Sequence, residues 1–440
     1  MNIPTIKHNV VKRDIVTFEL LDLPNSDYFS IDISFCTSTK VEEDYKKIYG
    51  KEIFGATHLL EHMSFKSTLD YDTKEVESLL RNYSKHNATT GFSNLRFFAT
   101  TSTEYSNLIA RVITNIAYNT LNKVNEEEFE TEKGVVLNEL RRYLNDRNTT
   151  TYFNYVDKVL HNGVGNNLMG TLETVENITL EDLQRLKAML LTHNKITVSL
   201  TYDSSTDLDI EHLMNAIEKD IEIITMGIKE EYRHIDYVYN NPENTLKEPG
   251  KYILTDEKVR EENSIIHITT DSTTNDRVRG IAFDLLNKIS PDTSFKYYYR
   301  EKHGITYGAS IGSMRNGYNN NYTVFNVDVK SSDVDLAIDL YPKVLKETLE
   351  ILDEELYDKV INKMILDEIT NLNLNKHSHI FLDRLYEKET FVALKDISNT
   401  DLTKYSKEAI ERLSTLEKVR SFIKELLDKH TNNETVITIS

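Results

Sequence analysis

With a single cysteine, Cys36, in 440 residues, the chain can form no internal disulfide and no thiolate-based zinc site. A reducing, cytoplasmic setting is the expectation. Proline and glycine are scarce too, at 6 and 14 residues, and with 28% charged residues this favours a helix-rich soluble protein over a disordered one. No apolar run approaches the roughly 20 residues that span a bilayer, and the opening MNIPTIKHNVVKRDIV has neither a secretory apolar core nor the Arg- and Ser-richness of an organellar presequence. Positive charge is in deficit. The 52 Lys and Arg against 71 Asp and Glu leave a formal charge of −19, which repels a phosphate backbone and suits basic or neutral peptides better. Neither a membrane nor a nucleic acid is expected as a partner.

The length implies two or three units. Apolar alternation predicts strands over 14–21 and 29–36, then helices over 55–65 and 74–83, then a hairpin of strands 86–91 and 95–101 around Phe92-Ser93-Asn94. Helical sequence runs from Tyr105 to about Asn162, with breaks near Asn125 and over 148–151. ITLEDLQRLKAML reads as a helix capped by Thr179, with Asp182 three positions on as an acidic variant of the capping box. The strand KITVSLTY and a helix from Asp207 to about Ile224 follow. Residues 227–250, rich in Asn, Pro and Glu, have the composition of a linker. The order of elements then returns: strands KYIL and SIIHITT, helices over 276–289 and 294–301, a hairpin of TYGASIGSM and NYTVFNVDV, helices to about His430, and a final strand VITIS. The repetition is one of pattern, not of letters. The expected fold is α+β, two structurally similar halves (1–226 and 251–440, joined by 227–250), each a mostly antiparallel sheet packed against several helices.

Within this frame THLLEHMSFKST, residues 57–68, stands out. On a helix, His58 and His62 share one face about 5 to 6 Å apart and can offer two imidazoles to one ion, with Glu61 beside the remaining coordination position. The pattern H-x-x-E-H arises by composition about 0.03 times in such a chain, so the motif favours chemistry over coincidence. A site of this kind needs a third ligand. Glu132 and Glu139 in EKGVVLNELRRYL lie two helical turns apart and point to one side, although acid pairs at that spacing also occur on solvated faces.

His-x-x-Glu-His followed 77 residues later by Glu139, within an E-K-x-V-V-x-x-E-[IL] context, resembles the pitrilysin-type (M16, inverzincin) zinc metallopeptidases. The likeness extends to HLLEHMSFKST, HNATT, MGTLETVENITLEDL, THNKITVSLTYD and, in the second half, YYYREKHGITYGASI. It implies one zinc ion per chain, held by His58, His62 and Glu139, with Glu61 as the base that takes a proton from water and passes it to the leaving amine. Glu132 would stand behind the ligands as a carboxylate orienting a histidine. Arg300 would anchor a substrate carbonyl and Tyr307 would donate to the developing oxyanion. Asn87, Ala88 and Thr89 would be the sheet edge that receives a peptide or unfolded polypeptide as an added strand. A homodimer is implied, with a heterodimer with a related subunit as the alternative. The competing function is an inactive or slow scaffold or peptide-binding subunit of the same family. His86 reads as structural, and His377 and His379 as exposed polar residues. Two departures stand out: CTSTKVEED, with extra residues before Gly55, implies a remodelled loop, and Lys66-Ser67-Thr68 replaces the usual G-T turn.

Overall fold

The computed structural model describes residues 7–23, 27–36, 40–91, 94–145, 160–161, 168–193, 196–233, 245–246, 248–253, 262–270, 276–289, 292–315, 321–363 and 414–439. The first half runs β1 (Lys7–Lys12), β2 (Thr17–Asp22), β3 (Tyr28–Cys36), α1 (Lys40–Tyr49), α2 (Ala56–Ser64), α3 (Thr73–Tyr83), β4 (Lys85–Thr90), β5 (Asn94–Ser102), α4 (Ser106–Ala117), α5 (Glu126–Asn145), β6 (Leu160–His161), α6 (Leu172–Glu176), α7 (Leu180–His193), β7 (Ile196–Tyr202) and α8 (Ile210–Thr225). Then come α9 (Glu230–Arg233), β8 (Thr245–Leu246), β9 (Gly250–Ile253), β10 (Glu262–Thr270), α10 (Asp276–Asp284), two π-helical segments (Leu285–Ile289 and Lys296–Lys302), β11 (Ala309–Arg315), β12 (Asn321–Lys330), α11 (Val334–Ile351), α12 (354–363), α13 (Leu416–Thr431) and β13 (Val436–Ile439).

The alternation in β3 is real, and it buries Phe29, Ile31, Ile33 and Phe35 on one face. The intervening Ser30 and Asp32 are buried too, so this central strand is covered on both faces. Their polarity is answered locally. Ser30 Oγ lies 2.8 Å from Thr100 Oγ1, and Asp32 pairs with Arg96 on the adjacent β5. The expected capping pair also forms, with Asp182 N–H donating to Thr179 Oγ1 at 3.2 Å and Thr179 N–H to Asp182 Oδ2 at 2.8 Å.

Sheet order makes the internal repeat explicit. The first sheet is ordered β1-β2-β7-β3-β5-β4 and the second β11-β12-β10-β13-β9. In each, a hairpin supplies one edge (β4 and β5, or β11 and β12) and pairs antiparallel with the strand that opens the half's core (β3 or β10). In each, the closing strand, β7 or β13, pairs antiparallel with that core strand and parallel with an earlier one, β2 or β9. The chain is therefore α+β with two similar halves. Each carries its own hydrophobic core, one drawn from Val16 to Ile224 and the other from Ile265 to Leu426.

Three local expectations are corrected. The strand expected from Asp14 begins at Thr17, because Arg13 N–H closes a turn onto Val16 O at 3.0 Å, and β1 precedes it as a hairpin partner. Leu160 and His161, expected to be helical, pair instead with Thr245 and Leu246, so the stretch read as a linker contributes a strand as well as α9. The remodelled loop before Gly55 contains a helix, α1, which buries Val41 and Tyr45 in the first core. His377 and His379 lie outside the described residues.

His267, central in β10, is buried among Phe325, Tyr341 and His430, and neither ring nitrogen has a hydrogen-bond partner. Burial, with the neighbouring His430, pushes its pKa down to about 3. The folded state therefore refuses a proton that the unfolded chain accepts below the ordinary histidine value, and stability falls as pH drops through that range. Between pH 7 and pH 5 wild type should lose about 2 kcal/mol more than His267→Leu, measured by urea unfolding at both pH values. Parallel losses in the two proteins would rule this source out.

Candidate metal centre and substrate edge

Helix α2 is amphipathic in a way that decides the site. Leu59, Leu60 and Met63 are fully buried in the first core, leaving His58, Glu61 and His62 on the half-buried opposite face. Helix α5 packs beside it and buries Phe129, Val136, Leu137 and Leu140, which turns Glu132 and Glu139 toward those histidines. The two imidazole centroids are 4.8 Å apart. Glu139 Oε2 lies 3.5 Å from His62 Nε2 and 3.8 Å from His58 Nε2, and one donor atom from each of the three residues falls within 4.8 Å of the others. Two donors on a tetrahedral zinc at about 2.0–2.1 Å stand about 3.4 Å apart, so the cluster fits that ion with small adjustments.

Behind the cluster, Glu132 Oε1 is 2.9 Å from His62 Nδ1, and its other oxygen accepts from Lys66 Nζ at 2.6 Å. Burial alone would raise Glu132, but the hydrogen bonds from His62 and Lys66 outweigh it and hold the carboxyl below its ordinary value. Burial likewise pulls His62 down, yet the Glu132 hydrogen bond and charge carry it above the usual imidazole value. An Nδ1–H donated to Glu132 leaves Nε2 as the free lone pair facing Glu139. His58 differs: burial, then the adjacent His62, pushes it down to about 4, which keeps it neutral, and its buried Nδ1 meets no partner.

Glu61 accepts a hydrogen bond from Thr90 Oγ1, and burial, the largest influence, raises its pKa. Thr90 ends β4, the edge strand that also carries Asn87, Ala88 and Thr89. Asn87 and Thr89 are exposed and Ala88 is buried, so the strand's alternation turns Ala88 and Thr90 inward, toward α2. His86, on the same strand, has its Nδ1 3.3 Å from Ser84 Oγ, at the end of α3.

Sequence reasoning passed over Thr90 and gave Lys66 only a place in the altered turn, with no part in the cluster. Both were findable, since Thr90 shares the period-2 face of Ala88 and Lys66 follows His62 by four residues, one helical turn. The departure at Ser67 also gains a purpose, because its hydroxyl donates to Glu128 Oε1 at 3.1 Å, and Glu128 forms a capping box with Asn125 at the start of α5. The altered turn thus ties α2 to the helix that bears Glu139.

Arg300 and Tyr307 are brought to each other but not to this cluster. The Arg300 guanidinium lies 4.7 Å from the centre of the Tyr307 ring, at the end of a π-helical segment closed by His303 N–H donating to Tyr298 O at 3.2 Å. Tyr307 is 87% exposed. Among the described residues no hydrogen bond or ion pair joins either side chain to His58, Glu61, His62 or Glu139.

Residues 50–172, which contain the whole cluster, match the model of the insulinase family, peptidase family M16. Over that stretch the chain is similar to members of that family. Over 186 residues it is 23% identical to an uncharacterized zinc protease of Rickettsia bellii, a match spanning 42% of this chain and 44% of that relative. The matched stretch is thus less than half the relative's length. The fold is shared with a protease from Helicobacter pylori (TM-score 0.77, 15% identity, covering 100% of this chain and 99% of that one) and with the inactive domain of an M16 peptidase from Pseudomonas fluorescens (TM-score 0.72, 12% identity, covering 98% and 97%). An M16 fold therefore occurs without activity, and the chemistry has to be argued from side chains. No helix among the described residues is long and apolar enough to cross a membrane.

If Glu132 orients His62, Glu132→Gln should weaken zinc binding by about 10- to 100-fold, read by competition with a chromogenic chelator. An unchanged affinity would leave Glu132 as an ordinary acid on the helix face.

Proposed function

We propose that this chain is a zinc-dependent endopeptidase that hydrolyses peptides or unfolded protein segments. The observation that carries the reading is the convergence of His58, His62 and Glu139 at separations suited to one tetrahedral ion, with Glu61 beside them. Zinc held there would act as a Lewis acid on a water and on the scissile carbonyl. Glu61, steadied by Thr90, takes the proton from the attacking water and delivers it to the leaving amine. His58 and His62 would offer their Nε2 lone pairs to that ion and Glu139 a carboxylate oxygen. Among the described residues, the three carboxylates Glu61, Glu132 and Glu139 have one ammonium in ion-pair contact, that of Lys66 on Glu132, and that imbalance favours a dication.

Substrate would lie along the edge strand β4 as an added strand, bound through the backbone of Asn87, Ala88 and Thr89, which makes recognition tolerant of sequence. The −19 charge of the chain favours basic or neutral peptides over acidic ones. Arg300 and Tyr307, stacked and exposed, are the groups we assign to the substrate carbonyl and the oxyanion, presented to the zinc centre of a second copy in a homodimer. Residues 1–226 form the catalytic domain and 251–440 the domain carrying Arg300 and Tyr307. The single cysteine supports a reducing, cytoplasmic location. The inactive-domain relative keeps a scaffold role in view, and the intact set of four residues around zinc weighs against it.

Glu61→Gln should bind zinc as wild type does while peptide cleavage falls by about 10²- to 10⁴-fold, followed by mass spectrometry on a mixed peptide library. An undiminished rate would remove Glu61 from the mechanism, and cleavage that survives exhaustive chelation would remove zinc. Mixing equal amounts of Glu61→Gln and Arg300→Ala proteins should restore about a quarter of wild-type activity if sites are shared between two-fold-related copies. A mixture no more active than its components places both groups of residues in one chain.

A further inference from the structure

Helix α2 has no side-chain cap of its own. Its N-cap is Gly55, at φ 91°, and the amides of its first turn need acceptors from elsewhere. Glu42 supplies them from α1. One of its oxygens accepts the Gly55 N–H at 3.0 Å and the other the Thr57 N–H at 2.8 Å. Glu42 is 1% exposed, and its own helix is anchored by Val41 and Tyr45 in the first core and by the Tyr45 hydroxyl donating to Asp182 at 2.9 Å. A carboxylate at a helix N-terminus is also favoured by the aligned peptide dipoles. The opposite side of the same turn is fixed by close backbone packing and one side-chain hydrogen bond. Gly55 and Gly170, both at positive φ, approach so closely that a Cβ on Gly55 would collide with Met169 O and one on Gly170 with Phe54 O. Thr174 Oγ1 donates to that same Phe54 O at 2.8 Å.

Taking the zinc centre as proposed above, we infer that Glu42 is a positioning residue for the metal. By holding both ends of the Gly55–Thr57 turn it fixes the rotation of α2 about its axis, and with it the line along which His58, the next residue, meets Glu139. The segment that departs from the family pattern before Gly55 is then the buttress of the first ligand. An acid suits the place because its two oxygens meet two amide donors at once in a buried position.

The test is zinc affinity of wild type, Glu42→Gln and Glu42→Ala by chelator competition, with visible absorption of the cobalt-substituted proteins and thermal midpoints of the metal-free proteins recorded alongside. Affinity should fall about 10-fold in Glu42→Gln, which keeps one acceptor, and about 100-fold in Glu42→Ala, with the cobalt bands displaced in both. A purely structural cap would lower the metal-free midpoints yet leave affinity and cobalt bands as in wild type, and that result would overturn the inference. Should Glu42→Ala fail to fold, Glu42→Gln alone decides, since it retains the shape of the side chain. Zinc binding by wild type with unaltered variants sinks only this inference, whereas a wild type that binds no zinc sinks the metallopeptidase reading and this inference together.

Discussion

Two helices packed side by side have to agree on which faces they bury. In α2 and α5 the apolar faces, Leu59, Leu60 and Met63 on one and Phe129, Val136, Leu137 and Leu140 on the other, are committed to the first core, and this leaves their polar faces opposed across a narrow half-buried space. Everything at the site follows from that opposition. Two imidazoles and two carboxylates separated by some 70 residues of chain are forced within a few ångströms of one another, where the low local dielectric magnifies both attraction and repulsion. The His62–Glu132–Lys66 chain answers part of the resulting negative charge. The rest sits on Glu139, beside both imidazoles, and on Glu61, which accepts from Thr90.

Much of this could be read from the letters, for a physical reason. His58, Glu61 and His62 occupy one face of a short helix, so their geometry is set by helical period alone, and the seven-residue spacing of Glu132 and Glu139 is likewise local. What brings those two faces together is tertiary, and no period encodes it; the family likeness supplied that step. Thr90 escaped notice, and Lys66 was read only as part of a turn, because each touches an acid of the cluster rather than a candidate ligand. The helix α1 escaped for another reason. KVEEDYKKIY is strongly polar, with only Val41, Tyr45 and a few neighbours to mark an inward face, and its most consequential inward residue, Glu42, is an acid that hydropathy assigns to solvent. A buried carboxylate that caps another helix leaves no trace in periodicity.

The repeat was legible only as an order of elements, and the sheets explain why it holds without similar letters. What both halves conserve is a hairpin on one edge and a closing strand slotted parallel to an early one, a topology set by which strands are buried on both faces and which are not. Within that shared plan the halves have diverged in chemistry. The face of the first sheet's helices carries the donors, whereas the second buries an unpartnered imidazole, His267, in an aromatic setting and displays Arg300 and Tyr307 from a π-helical segment.

The hydrogen bond from Thr90 to Glu61 joins two things usually considered apart. The strand whose outer backbone would grip a polypeptide is also the support on which Glu61, the acid proposed to take the proton, rests. A guest that docks in good register stiffens its host strand, and the carboxylate inherits that stillness; one that docks askew tugs the same tether. Discrimination between well-seated and poorly seated chains can thus be built into a rigid edge, with no moving lid and no pocket that reads side chains.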